Sequence, residues 1–392
     1  MVDYHPFSES VMNDAHPIYR SLRDEAPAFH VDEYDCWALS RFDDVWNAAQ
    51  DPETYSAAQG TTAAHLLTKD MEVFPALDMM DPPDHTKRRV LISNLFTPGR
   101  ARRLEPVIRE IVTTRLDAVR DRGRFDVVTE LGSFVSTGTV VAALELPQED
   151  GESLRQWVDA IFHRESDSIG ITESGIAAYG HLDGYFLELI ARRRGEPAGD
   201  DVLGRFLAAE IDGVRFSDEV VASHMKELII AGTETLPKML AATLRRLAEH
   251  PDQRREVQAN ADLVLPAFME AVRLDMPTQF MGRMIVRDHE LHGLKLRKGQ
   301  PVLLLYPSAS RDEREFENPD AYDIHRDAPR SVGFGHGTHA CLGRHVARLE
   351  AKIALTEILA RIPDYQVDLA GATRVRTEFV QGFSSLPIVF AS

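Results

Sequence analysis

The feature that most constrains this 392-residue chain is one very long helical run. Ser217 followed by Asp218 and Glu219 supplies an N-cap and an acidic first turn, and the apolar spacing continues to about Ala248. At ~1.5 Å per residue this element is about 45 Å long, enough to cross a molecule of this size, so the rest must pack around it. Pro237 sits inside the run. It has no N–H for the Thr233 carbonyl, which predicts a kink or widened turn that leaves that carbonyl free for water.

Most of the remaining chain also reads as helix. Three- and four-residue apolar spacing marks 17–26, 43–50, 84–96, 101–120, 127–144, 152–162, 176–194 and 262–274. The pattern then changes: 284–305 reads as short strands, with Gly293 and Gly299 at turns and Val302 to Leu305 as a buried run. Residues 318–338 read as a long ordered loop, a kind of segment usually kept for function. Helix resumes over 342–361, and 365–369 and 386–390 look like strands. The expected fold class is mainly α with a small β region. Length alone allows two or three domains.

Composition removes several functions. Lys and Arg number 44 against 62 Asp and Glu, for a formal charge of −18, the wrong sign for a non-specific nucleic-acid surface. Cys36 and Cys341, the only cysteines, are far apart and suggest a reducing compartment rather than a disulfide framework. The beginning of the chain lacks signal-peptide character and no apolar run is long enough to span a bilayer, so a cytoplasmic location without a membrane anchor is expected.

The most informative stretch is Phe334-Gly335-His336-Gly337-Thr338-His339-Ala340-Cys341-Leu342-Gly343. Here a lone cysteine stands where a glycine-rich loop enters a helix, so N–H groups face its sulfur and favour thiolate. The glycines let backbone approach a flat ligand, Phe334 can pack on it, and His339 can donate to an acidic group. A single thiolate suits haem iron better than structural zinc, which wants four ligands. A buried structural cysteine is the ordinary alternative.

This loop resembles the haem-binding signature of the cytochrome P-450 family, Phe-Gly-x-Gly-x-His-x-Cys-x-Gly, at every specified position. The resemblance implies the P-450 fold, with haem b between a long distal helix and a proximal cysteine loop, and Cys341 as the iron ligand. It extends to Glu270-x-x-Arg273 with Arg326, which it casts as a structural network for the cysteine loop, and to Ala231-Gly232-Thr233-Glu234-Thr235, similar to the distal oxygen motif. By that resemblance Thr235 stabilises a hydroperoxide and Glu234 relays protons. His85, Arg89, Arg283 and His339 are then haem-propionate contacts, with Phe334 and Gly335 also at the cofactor. The motifs stand in family order from about 81 to 343, which implies a single catalytic domain over 1–392.

Family geometry places 61–77, 162–176, 227–235, 277–280 and 379–383 above the haem. Phe74, Leu77, Ala231, Phe280 and Phe379 suggest an apolar pocket for a terpenoid, steroid or aromatic substrate. Glu227, two turns before Thr235, is either a solvated surface acid or, like Gln279, a polar anchor. Residues 86–124 hold 11 Lys and Arg against 4 Asp and Glu, a net +7; with Arg344 and Arg348 they suggest a basic proximal face for an acidic ferredoxin. The expected activity is haem-thiolate monooxygenation by O2. A peroxide-driven peroxygenase or a non-catalytic haem sensor are the alternatives, and Glu234 with Thr235 weighs against both.

Overall fold

In the computed structural model the long helix runs Asp218–Glu249, 32 residues, and Ser217 Oγ accepts from the Val220 N–H at its start. The structure describes residues 2–164, 170–197 and 199–391. Val221, Met225 and Ile229 are buried in one apolar cluster and Leu236, Leu240, Leu244 and Leu247 in another. A helix apolar on several faces belongs inside, and here it is the axis around which the others pack. The helices Ser133–Ala143, Glu173–Arg193, Val264–Leu274 and Arg344–Arg361 all lie against it. Among the described residues no helix is long and apolar enough to cross a membrane.

The β region is small, and part of it lies outside the expected stretch. Strands β1 (Ala28–Val31), β2 (Cys36–Leu39), β3 (Tyr55–Ser56), β4 (Met281–Ile285) and β5 (Pro301–Leu304) form one sheet in the order β1-β2-β5-β4-β3. Only the β2–β5 pairing is parallel. The apolar run of β5 divides as a strand must: Val302 and Leu304 enter one cluster, Leu303 and Leu305 the other. A second sheet sets Pro387–Phe390 between Tyr365–Val367 and Arg124–Asp126.

Two expectations need correction. The stretch 127–144 is not one α-helix. It opens with a wide π-helical turn, Val127–Gly132, followed by the α-helix Ser133–Ala143. The wide turn faces Pro237, and Gly132 is there because a Cβ would sit 2.8 Å from the Pro237 Cα. The long helix itself continues through Pro237 without a break. The Thr233 carbonyl is indeed released from the helical ladder, but it is not left to water: Ser136 Oγ donates to it at 2.8 Å in a buried setting.

That hydroxyl is therefore the stand-in for the missing proline N–H. Ser136→Ala should destabilise the folded protein by ~1–3 kcal/mol, since the carbonyl would be buried without a donor. Pro237→Ala, which restores an N–H at the right spacing, should recover most of that loss in the double variant. Urea unfolding of the four proteins checks it: additive losses in the double variant would rule the exchange out.

Candidate active site

The long helix, the cysteine loop and the cysteine helix Arg344–Arg361 enclose a cavity of about 450 Å³. The cysteine loop is held from beneath. The His336 ring stacks on Trp46 with centroids 3.3 Å apart, and the Cys341 N–H donates to the Phe334 carbonyl at 2.8 Å. Gly337 adopts φ 70° and presses on the end of the helix Phe42–Ala49 so closely that a Cβ would lie 2.4 Å from the Ala49 carbonyl oxygen. No other residue type tolerates both conditions.

Behind the loop is the ion network around Glu270. Its carboxylate takes Arg273 at 2.7 and 2.9 Å and Arg326 at 2.9 Å, with Glu270 5 % and Arg273 2 % exposed. Both guanidiniums also donate to backbone carbonyls of 310–321, including those of Pro319, Asn318 and Ala321. The three residues read from the sequence as a set thus meet.

The cavity wall gathers most of the other candidates. Cys341, Phe334, Gly335 and His339 line it from the loop, Arg89 and Arg283 from the side, and Ala231, Glu234 and Thr235 from the long helix. Cys341 is exposed to this interior space rather than to the outside. Burial pushes its thiol up, and the Gly343 N–H, Arg89, Arg344 and the Arg344 N–H only partly oppose that. The helix entrance alone does not make a thiolate here; ionisation requires a cation at the sulfur.

Beside it stand polar groups without acidic partners. The His85 and His339 rings lie 4.4 Å apart, and burial holds both neutral, His85 down to about 4. Neither ring nitrogen of His85 has a partner, nor has Nε2 of His339. Arg89 donates to the Ala340 carbonyl and Arg283 to that of Gly282. Four side chains able to donate, with one cysteine between them and the long helix, fit a flat metal complex carrying two carboxylates.

Two pocket assignments are not met. Gln279 and Phe280 do not line the cavity; they turn to the opposite side and pack under the N-terminal helix His16–Glu25. Tyr19 donates its hydroxyl to Gln279 Oε1 at 2.9 Å, and Phe280 is 1 % exposed. Pro277 and Thr278 take the cavity positions instead. Phe74, Leu77 and Phe379 do line it. Of the stretch 162–176, residues 165–169 lie outside the described residues.

Glu227 lines the cavity rather than the outer surface. Its carboxylate accepts the N–H groups of Leu77 at 2.7 Å and Asp78 at 3.1 Å, clamping that loop to the long helix. Burial and the neighbouring Asp78 push it well above the usual carboxylate range. Several groups at the cavity went unread in the sequence: Asp78, Arg164 and Glu378, which pair at 3.4 Å, and Glu350, with Lys238 behind them, paired with Glu234. Lys238 was within reach of a helical-spacing argument, four residues after Glu234. The others come from separate segments and had no local signal.

The chain as a whole is similar to known proteins. The family model for cytochrome P450 matches residues 173–377. Cytochrome P450 130 of Mycobacterium tuberculosis is 38 % identical over 362 residues, 90 % of this chain and 89 % of its own.

The chain belongs to the cytochrome P450 family.

It is accordingly a haem b monooxygenase. The vitamin D(3) 25-hydroxylase of Pseudonocardia autotrophica is 32 % identical over 394 aligned positions, covering 97 % of this chain and 95 % of that protein. The crystal structure of the P450 CYP109E1 from Bacillus megaterium with testosterone superposes with a TM-score of 0.88 at 27 % identity, covering 98 % of this chain and all of that one.

Glu350 gives the site a pH signature. It is 4 % exposed, and burial pushes its carboxyl up to about 8, with the Thr139 hydroxyl opposing. An acid raised on folding favours the folded state only while protonated. Its contribution is present below the ordinary carboxylate pKa of ~4.3 and is lost as pH climbs through about 8. Glu350→Gln should therefore gain melting temperature relative to the parent as pH rises from ~5 to ~8. A gap that does not widen over that range in thermal unfolding would show that the carboxyl is ionised throughout.

Proposed function

We propose that Cys341 would hold the haem through its thiolate and that the protein hydroxylates an apolar substrate of steroid or terpenoid size. The observation that carries this reading is convergence. Cys341, the donors Arg89, Arg283 and His339, and the pair Glu234 and Thr235 all line one cavity, and His85 stands beside His339 with ring centroids 4.4 Å apart.

A thiolate-ligated haem supplies the redox chemistry of dioxygen reduction when bound there. The remaining roles fall to the chain. Arg89 and Arg283, with the two histidines, hold the carboxylate edge of the cofactor, and the Glu270 network keeps the cysteine loop in register. Phe74, Leu77, Ala231 and Phe379 exclude water and bind carbon skeleton. Glu227, occupied with the Leu77 and Asp78 N–H groups, shapes the wall.

Glu234 is buried, and its carboxyl is raised by burial and drawn down by Lys238. Held in that pair it is poised to carry protons inward, and Thr235 hands them on at its hydroxyl. The apolar wall and the two relatives named for vitamin D(3) and crystallised with testosterone support a steroid-like substrate class.

The reduced carbonyl complex should show the strongly red-shifted Soret band of thiolate ligation, and Cys341→His should abolish it. A parent spectrum of the histidine type would overturn the assignment of Cys341. Thr235→Ala should lower product formed per O2 consumed while that spectrum stays unchanged.

For the reductant we propose an acidic ferredoxin docking at the cysteine helix. Much of the basic 86–124 segment is already paired: Arg100 with Asp200, Arg109 with Glu105 and Glu357, Arg122 with Glu130, and Arg124 with Asp368. Arg102 and Arg103 form no ion pair among the described residues, nor do Arg344 and Arg348, and the turn Arg102–Leu104 packs on the cysteine helix. Charge reversal at Arg103 or Arg348 should slow electron transfer about tenfold or more at low salt and much less at high salt. Stopped-flow reduction checks this; rates indifferent to salt would place the partner elsewhere.

A further inference from the structure

Away from the haem cavity, a second cleft of about 570 Å³ opens where five remote segments meet. Its walls come from the start of the helix His16–Glu25, the later turns of the long helix, the residues after Val264–Leu274, the loop after 310 and the C-terminal strands. It presents six arginines and three aspartates, in a chain whose overall balance is −18. Local positive charge against that background is opposite to what chance surface composition gives.

The inner arginines are fixed in place. Asp275 accepts Arg246 twice at 2.7 Å and Arg245 at 3.0 Å. Arg311 donates to Asp320 at 3.1 Å and to the Leu274 carbonyl at 2.7 Å. Glu249 also approaches Arg245, at 2.9 Å, and Glu313 approaches Arg23, at 3.4 Å. These carboxylates orient the guanidiniums without using all their N–H groups: Arg245 Nε is buried with no partner.

The rim is different. Arg20 and Arg374 are exposed and form no ion pair among the described residues; Arg374 lies 5.5 Å over the Phe383 ring. His16 also lines the cleft, and its Nδ1 is buried with no partner among the described residues. Burial and Arg311 keep this ring neutral, with a pKa near 4, so it stays available as a neutral hydrogen-bonding group at ordinary pH.

We propose that this cleft is a binding site for a small, multiply charged oxyanion, a phosphate ester or polycarboxylate, closed by Arg20 and Arg374 with His16 and Arg245 at its floor. Guanidinium forks match the paired oxygens of both groups, and fixed inner arginines reduce the ordering cost of binding. The site is separate from the haem cavity, although both share the long helix as a wall.

The test uses the haem-loaded full chain at fixed ionic strength, with inorganic pyrophosphate as the phosphate probe and citrate as the carboxylate probe. Either should raise the melting temperature by about 2 °C or more at a concentration well above its dissociation constant. The probe that binds more tightly by calorimetry identifies which oxyanion the cleft prefers. The exposed pair Arg20→Gln with Arg374→Gln should weaken binding about tenfold or more while the reduced carbonyl spectrum stays that of the parent. No binding of either probe, or equal binding to the double variant, would overturn the proposal.

Discussion

Glu270 is the point where the helix Val264–Leu274 and the loop leading to Cys341 are joined. One of its carboxylate oxygens accepts from Arg273, from Arg326 and from the Asp323 N–H, and the other completes a fork with Arg273. Through these two arginines a loop with almost no regular structure becomes as fixed as a helix. The arrangement is costly to assemble, because desolvating three charges offsets most of their attraction. It is still more costly to break, since removal of Glu270 would leave two guanidiniums buried without an anion, a loss of ~3–5 kcal/mol. What the network contributes is therefore position: the cysteine emerges from the loop at one place beneath the long helix.

The cavity above that cysteine obeys a single electrostatic rule. Burial is the first cause of every large shift in it, pushing Cys341, Glu227, Glu234, Asp78 and Glu350 up and His85 and His339 down. Each of those groups is driven toward its neutral form, while the arginines of the wall keep their charge. The carboxyls meet this cost in different ways. Glu227 accepts backbone N–H groups, Glu234 takes a lysine four residues on, and Glu350 has only a hydroxyl nearby and pays in pKa. A relay acid needs the intermediate solution, paired strongly enough to be ionised and loosely enough to exchange a proton.

The elements legible in the sequence are those with local physical signatures. Ser217 with two acids announced the long helix to within a residue, and the resemblance of Glu270-x-x-Arg273 to a family motif implied a pair that the fold does form. Strands β1 and β2 left no such mark. Four residues each, with His30 and Cys36 breaking any clear alternation, they exist because β2 pairs with β5 and their two faces enter different apolar clusters, Val31, Cys36 and Ala38 in one and Ala28, Trp37 and Leu39 in the other. The pocket was read half correctly for a related reason. Two successive residues, Pro277 and Thr278, line the cavity and the next two turn away under the helix His16–Glu25, a division that sequence position alone does not reveal.

Pro237 shows how far a local reading carries and where it stops. The loss of the N–H to the Thr233 carbonyl follows from proline chemistry wherever the helix sits. Who answers that carbonyl does not, because the donor is a serine 97 positions earlier, brought close by a wide helical turn around a glycine. In open surroundings water would serve, but the packing between these two helices admits none, and a buried carbonyl has to find a protein donor. The same compactness puts Gly232 against Val140, where a Cβ would come within 2.6 Å of the valine side chain. Close approach, rather than a kink, is thus what the small residues and the proline jointly produce at this level of the long helix. It brings Thr235 to the cavity together with its neighbour Glu234, which is tied to Lys238.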